Sequence, residues 1–293
     1  MIDWALIAGS FVVAIVVGLT GMGGGALMTP MMMLFFNVPP LAAVSSDLVA
    51  SAVMKPVGSV VHLRRGTVNL RLVGWLCAGS VPAAFCGVFL ARAFAVSDAV
   101  KYALGVALLL AVAGMALKSW LGGRGGTSSA RDIVVRPIPT LLVGTVGGLV
   151  VGVSSVGSGS LIIVALLVLY PALKANQLVG TDLVQAVPLV AAAALGHLLF
   201  GDFQMDLTLS LLIGSIPGVY LGARISSRAP GGLIRAMLAI VLLASALKLL
   251  DVSNTLTVWA LLAATAVTIV GWRVRARAAA RASSESTDLE PAR

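Results

Sequence analysis

The chain has 293 residues, 59% of them hydrophobic and 11% charged, with a mean hydropathy of +1.05. Soluble domains carry about 25% charged residues, so the composition excludes a soluble globular protein and points to an integral membrane protein. The net charge of +9 does not indicate a nucleic-acid partner, because the basic residues fall in short loops and in the C-terminal tail, which is where positive-inside topology puts them.

Met1-Ile2-Asp3-Trp4 carries no basic region ahead of its apolar run, so the N-terminus reads as an uncleaved first membrane helix, not a cleaved signal peptide. Apolar residues 4–19 lead into a glycine run, Gly18-Leu19-Thr20-Gly21-Met22-Gly23-Gly24-Gly25, followed by a short apolar piece at 26–36 and a Pro39-Pro40 turn. Three longer segments cover 41–63, 70–91 and 98–120. Cys77 and Cys86 lie in one of them, on opposite sides of a helix at about 100° per residue, and read as inert thiols that do not pair with each other. A polar, basic linker at 122–136 precedes a second series at 138–153, 161–170, 177–200, 207–225 and 233–250. An unmatched apolar segment, 255–272, leads to a tail that is basic and then rich in Ser, Glu and Asp, a composition expected to be disordered.

The two series are related by duplication. A shift of 135 places Asp47 on Asp182, His62 on His197, Gly66 on Gly201, Gly79-Ser80 on Gly214-Ser215, Pro82 on Pro217 and Gly87 on Gly222, without a gap. Charge suggests that the copies lie opposite ways up. The loop after 41–63 carries Arg64, Arg65 and Arg71, whereas its twin after 177–200 carries Asp202 and Asp206. The expected fold is an all-α polytopic membrane protein of two homologous, inverted repeats, each of about 4–5 membrane segments, with broken or short helices at the glycine runs. The expected organisation is a first membrane repeat at 1–121, a cytoplasmic linker at 122–137, a second repeat at 138–251, an extra C-terminal membrane segment at 252–272 and a cytoplasmic tail at 273–293.

The glycine run and its echo, Gly152-Val153-Ser154-Ser155-Val156-Gly157-Ser158-Gly159-Ser160, are the first candidate site. Glycine costs about 1 kcal/mol against alanine in a helix, and in lipid the backbone groups freed by a break need protein or ligand partners. Paired interruptions in two half-chains are the pattern of a transporter's central site. If the short segments start near the membrane midplane, their first N–H groups and positive dipole ends suit an anion. Candidate substrate contacts there are Gly21, Gly23, Gly24, Gly25, Ser154, Ser155, Gly157, Ser158 and Gly159, joined by Ser45 and Thr181. The competing reading is close helix crossing by small residues, as at Gly144, Gly148 and Gly152. No Gly-Lys-Ser/Thr follows either run, so a phosphate-cradling nucleotide loop is disfavoured.

Segment 41–63 carries a polar stripe, Asp47, Ser51, Lys55, Gly58 and His62, within an arc of about 80° at 100° per residue. Its twin carries Asp182, Gln185 and His197, and Val190 stands where the shift places Lys55. Charges in lipid are expensive and face a bundle interior or a wet cavity. Lys55 calls for an anion, either a partner aspartate or the substrate. Asp47, Asp182, His62 and His197 are candidate proton carriers, with helix caps and interfacial histidines as the structural alternatives. Pro56 beside Lys55, and the matched Pro82 and Pro217, are candidate hinges. No metal cluster and no cofactor are called for.

These motifs resemble the TauE/SafE family of sulfite exporters, also called TSUP transporters, over roughly residues 5–250. The resemblance rests on the 18–25 run with Pro30, on Ser45-Ser46-Asp47, and on Gly66 with Gly79-Ser80-Val81-Pro82 and Gly87, all echoed in the second half. It implies export or uptake of sulfite or a related organosulfur anion across the bacterial inner membrane, with proton coupling, and about eight spans in two halves. The expected function is therefore a secondary transporter of a small anion, with the anion, protons and the lipid bilayer as partners. Two rivals are a passive anion channel and an intramembrane serine hydrolase using Ser158 with His197.

Overall fold

The computed structural model describes residues 3–20, 24–93, 98–121, 133–156, 161–173, 175–226, 231–268 and 271. Among the described residues, ten helices belong to one compact unit, residues 1–250. They are α1 (Trp4–Thr20), α2 (Gly25–Phe35), α3 (Pro40–Arg64), α4 (Leu70–Ala93), α5 (Ala99–Leu121), α6 (Pro137–Ser154), α7 (Leu161–Leu169), α8 (Ala175–Phe200), α9 (Met205–Ser226) and α10 (Gly231–Leu249). A second unit, 251–293, contains α11 (Asn254–Thr268). No extended strand occurs among the described residues. Among the described residues, five helices are long and apolar enough to cross a membrane: Leu70–Ala93, Ala99–Leu117, Pro137–Ser154, Gln177–Phe200 and Met205–Gly222. Their outward positions are apolar, as at Leu142, Val146, Ile213, Ile216 and Tyr220, which suits hydrocarbon and not water.

Helix pairs recur with the halves exchanged. α1 packs on α9 as α6 packs on α4, α2 meets α3 as α7 meets α8, and α3 meets α8 while α5 meets α10. The two longest crossings rest on bare backbone. A side chain added at Gly144, Gly148 or Gly152 of α6 would land on the carbonyls of Leu76, Ser80 and Ala84 of α4. In the other pair, Gly214, Gly218 and Gly222 of α9 lie against Ile7, Phe11 and Ile15 of α1. Four-residue spacing keeps small residues on one face, and without a hydrophobic drive in lipid such faces let helices approach closely. Close crossing is therefore the role of Gly144, Gly148 and Gly152. Gly222 touches Gly18 as Gly87 touches Gly152, so the duplication continues into α1 and α6 with a shift of 134, one residue out of step with the later shift of 135.

α2 and α7 have 11 and 9 residues, about 16 and 14 Å at 1.5 Å per residue, roughly half a hydrocarbon core. Each doubles back along its predecessor. A side chain at Gly9 of α1 would meet Met31 and the ring of Phe36, at the far end of α2. The Tyr170 hydroxyl just beyond α7 lies 2.6 Å from Thr140 Oγ1 and 2.8 Å from the Arg136 N–H that it accepts, both at the start of α6. Each short helix thus forms a hairpin with the helix before it.

α3 and α8 run antiparallel. Ser45 meets His197, Ser59 meets Leu183, and Gly180 lies against His62, so the start of one helix faces the end of the other.

Candidate functional site

The two helix breaks meet inside the protein. α6 ends at Ser154, and Ser155 turns the chain out with φ +58°, a left-handed conformation costly for any residue with a Cβ. α2 begins at Gly25, with the Gly24 carbonyl accepting from the N–H groups of Leu27 and Met28. A Cβ at Gly25 would fall on the Ser155 carbonyl, so only glycine admits this approach. Gly24, Gly25 and Ser155 are buried. Gly21, Gly23, Gly157, Ser158 and Gly159 lie outside the described residues.

Asp47 joins the breaks. Its Oδ2 accepts from Thr29 Oγ1 of α2 at 2.9 Å and from Ser155 Oγ at 2.6 Å. It also lies beside Gly24, at the positive end of α2, where a carboxylate is favoured. Asp47 and Asp182 lie seven residues inside α3 and α8, which start at Pro40 and Ala175. The helix-cap alternative for both is thereby excluded, since a cap stands at the first turn.

Lys55 is buried, two turns beyond Asp47 on the same helix, and lies in the fields of Asp182 and, less strongly, Asp47. The packing there is tight: Ser59 Oγ, one turn further on, donates to the Leu183 carbonyl at 2.9 Å. Asp182 is itself fully buried. Both carboxylates thus act electrostatically on Lys55 where α3 and α8 cross.

His197 is fully buried, unlike the interfacial histidine that its place near a segment end allowed. Its Nε2 lies 2.8 Å from the Gly152 carbonyl and its Nδ1 2.8 Å from Ser45 Oγ. A carbonyl only accepts, so Nε2 carries a hydrogen and donates to it. Gly152 belongs to the last turn of α6, whose carbonyls need outside donors. Ser45 Oγ is also 2.7 Å from the Leu41 carbonyl. Rotating that one hydroxyl lets Nδ1 either accept or donate, so the pocket satisfies the ring both neutral and charged. His62 is half-buried near the end of α3, with Nδ1 2.9 Å from Thr67 Oγ1.

Other residues marked by the sequence serve local structure. Ser154 Oγ donates to the Val150 carbonyl at 2.7 Å and receives the Val156 N–H at 3.2 Å. Thr181 Oγ1 accepts the Asn69 N–H at 3.2 Å, tying the α3–α4 loop to α8. Pro56, Pro82 and Pro217 all lie inside helices. Gln185 Nε2 donates to Ser80 Oγ at 2.7 Å, whereas Gln185 Oε1 and Ser46 Oγ are buried without a hydrogen-bond partner among the described residues. Two contributors, Thr29 and Ser59, escaped sequence reasoning, and Ser80 was marked only as a repeat and motif position. Thr29 was detectable as the sole hydroxyl within the apolar stretch 26–36.

A sequence model described as Sulfite exporter TauE/SafE matches residues 6–249. The chain belongs to this family. It is 36% identical over 252 residues to "Probable membrane transporter protein YjnA" of Bacillus subtilis (strain 168), covering 84% of this chain and 98% of that one. It is 23% identical over 223 residues to "Probable membrane transporter protein YdhB" of the same organism, covering 75% and 89%. A third relative there, "Probable membrane transporter protein YunE", is 44% identical over 82 residues, 28% of each chain. No solved structure matches. Family and fold together make this a multi-pass membrane transporter of the TauE/SafE family.

Proposed function

We propose that the protein is a secondary transporter that carries a small anion, sulfite or an organosulfur anion, across the bacterial inner membrane together with protons. The carrying observation is the buried meeting of the two helix breaks, joined by Asp47, with the Lys55 ammonium two turns away. Broken helices at a repeat interface are where secondary transporters hold charged substrates. The remaining glycines and serines of the two runs, Gly21 to Gly25 and Ser154 to Gly159, would supply main-chain donors.

Charge balance favours protons as the coupling ion. Asp47, Asp182 and Lys55 sum to a formal −1, which repels an anion until one carboxylate is protonated. Asp47 and Asp182, with His62 and His197 as relays, would be the candidate groups to take up that proton. The antiparallel crossing of α3 and α8 supports inverted repeats at 1–121 and 138–251, joined by a cytoplasmic linker at 122–137. Residues 252–272 would form an extra membrane segment and 273–293 a cytoplasmic tail.

The test is uptake into vesicles containing the purified protein, with sulfite, thiosulfate, sulfonates and carboxylates, with and without an imposed pH difference. Accumulation of one anion against its own gradient, driven by the pH difference, is the expected result. Downhill flux alone would make the protein a passive channel. Lys55→Ala is expected to weaken binding of the transported anion about tenfold or more, the loss typical of a charge-assisted contact, while the protein stays folded.

A further inference from the structure

Gln185 is buried with one end of its amide unbonded. It is fully buried on α8, one turn after Asp182. Its Nε2 donates to Ser80 Oγ of α4 at 2.7 Å, and among the described residues its Oε1 has no hydrogen-bond partner. This turn of α8 is held on both sides. Cys77 Sγ of α4 lies 3.9 Å from the Gln185 carbonyl, and Ser59 Oγ of α3 donates to the Leu183 carbonyl at 2.9 Å. The amide is thus fixed in place, and burying one end of it without a partner carries the full desolvation penalty of that end. Packing does not demand it. A shift of 135 places Ala50 on Gln185 and Ser215 on Ser80. There Ala50 is buried, and Ser215 Oγ donates to Met54 Sδ at 3.3 Å, so the equivalent place in the other half is filled without an amide.

An amide fills the same space either way round. With Nε2 toward Ser80, the oxygen is stranded. Turned about its last bond, the oxygen accepts the Ser80 hydroxyl, and an NH2 group with two donors and no charge is left at the far end. Such an end calls for an acceptor. Ser59, one turn beyond Lys55, bonds to Leu183, two residues before Gln185, which sets the amide in the same layer of the bundle as the ammonium. Resting on the proposed anion transport, we propose that Gln185 is a further substrate contact, its NH2 group donating to an oxygen of the transported oxyanion, with Ser80 as the positioning residue that holds the amide oxygen. A neutral donor strengthens the hold on an anion without the desolvation cost of a second buried charge. Gln185 is replaced by Ala50 in the first half, as Lys55 is by Val190 in the second. Each half therefore brings one donor that the other lacks, and the two copies have diverged into a single shared site.

The test uses the full-length protein, with sulfite as the probe. Gln185→Met keeps the size of the side chain and removes its polar end. The half-saturating sulfite concentration for uptake into vesicles is expected to rise about tenfold or more, the scale of one hydrogen bond to a charged group, with the maximal rate within a few-fold. In detergent without sulfite, this variant is expected to unfold at the same temperature as the unsubstituted protein or above it, because no stranded polar end remains. A lower unfolding temperature, failure to fold, or an unchanged half-saturating concentration would mean that the amide serves the fold or a buried water, and overturns the proposal. Ser80→Ala removes the anchor of the amide and is expected to raise the half-saturating concentration a few-fold at the same maximal rate; an unchanged value overturns the positioning role. Where the unsubstituted protein takes up thiosulfate or a sulfonate in place of sulfite, that anion becomes the probe. If it takes up none of them, the transport reading itself fails, a result distinct from transport that Gln185→Met leaves unaltered.

Discussion

At Ser155 one residue performs two conflicting tasks. Its backbone turns at φ +58°, where glycine is at ease and a side chain costs about 1–2 kcal/mol. Its hydroxyl donates to the Asp47 carboxylate at 2.6 Å, a bond to a charged group worth about 1.5–3 kcal/mol. The bond outweighs the strain, which explains a serine where the first run has Gly21. Ser155→Ala loses the bond and keeps the strain, whereas Ser155→Gly loses the bond and relieves it. Both are expected to be less stable than the unsubstituted protein, with alanine the worse by about 1 kcal/mol. Thermal unfolding in detergent checks the order. A glycine variant no more stable than alanine would mean that the turn stores no strain.

Among the helices, the decisive contacts are backbone against backbone. Gly148 of α6 lies on the Ser80 carbonyl and Gly218 of α9 on the Phe11 carbonyl, whereas Gly74 of α4 has open space around its Cα. Forcing a methyl group into a packed crossing costs about 1–3 kcal/mol, so Gly148→Ala and Gly218→Ala are expected to destabilise by that amount. Gly74→Ala is expected to stabilise by up to about 1 kcal/mol through helix propensity. The same unfolding assay separates them, and equal effects at all three sites would refute the crossing role. The apolar runs made the helices legible to within about two residues, because length and hydropathy are local; 70–91 became Leu70–Ala93, for instance. The stripe on α3 likewise showed that Asp47 and Lys55 face inward. The reversal of α2 along α1, and the grip of Thr29 and Ser155 on Asp47, were not legible. Both depend on contacts between residues far apart in sequence, which no periodicity records.

Over the whole chain, orientation is the property that ties packing to transport. Transport by alternating access between two halves works most simply when they are copies facing opposite ways, so that closing one side repeats the opening of the other. The contacts of Ser45 with His197 and of Ser59 with Leu183 make α3 and α8 antiparallel. These helices are the same element of each repeat, so their following loops fall at opposite ends of the crossing. The first loop carries Arg64 and Arg65, and the second carries Asp202, so the positive-inside rule predicts a cytoplasmic first loop. Single cysteines at Arg65 and Asp202, both exposed, report this directly once Cys77 and Cys86 are replaced by serine. A membrane-impermeant thiol reagent is expected to label Asp202→Cys in intact spheroplasts and Arg65→Cys in inside-out vesicles. Labelling of both from one side would refute the inverted arrangement, and with it the symmetric exchange of open faces on which the proposed anion transport depends.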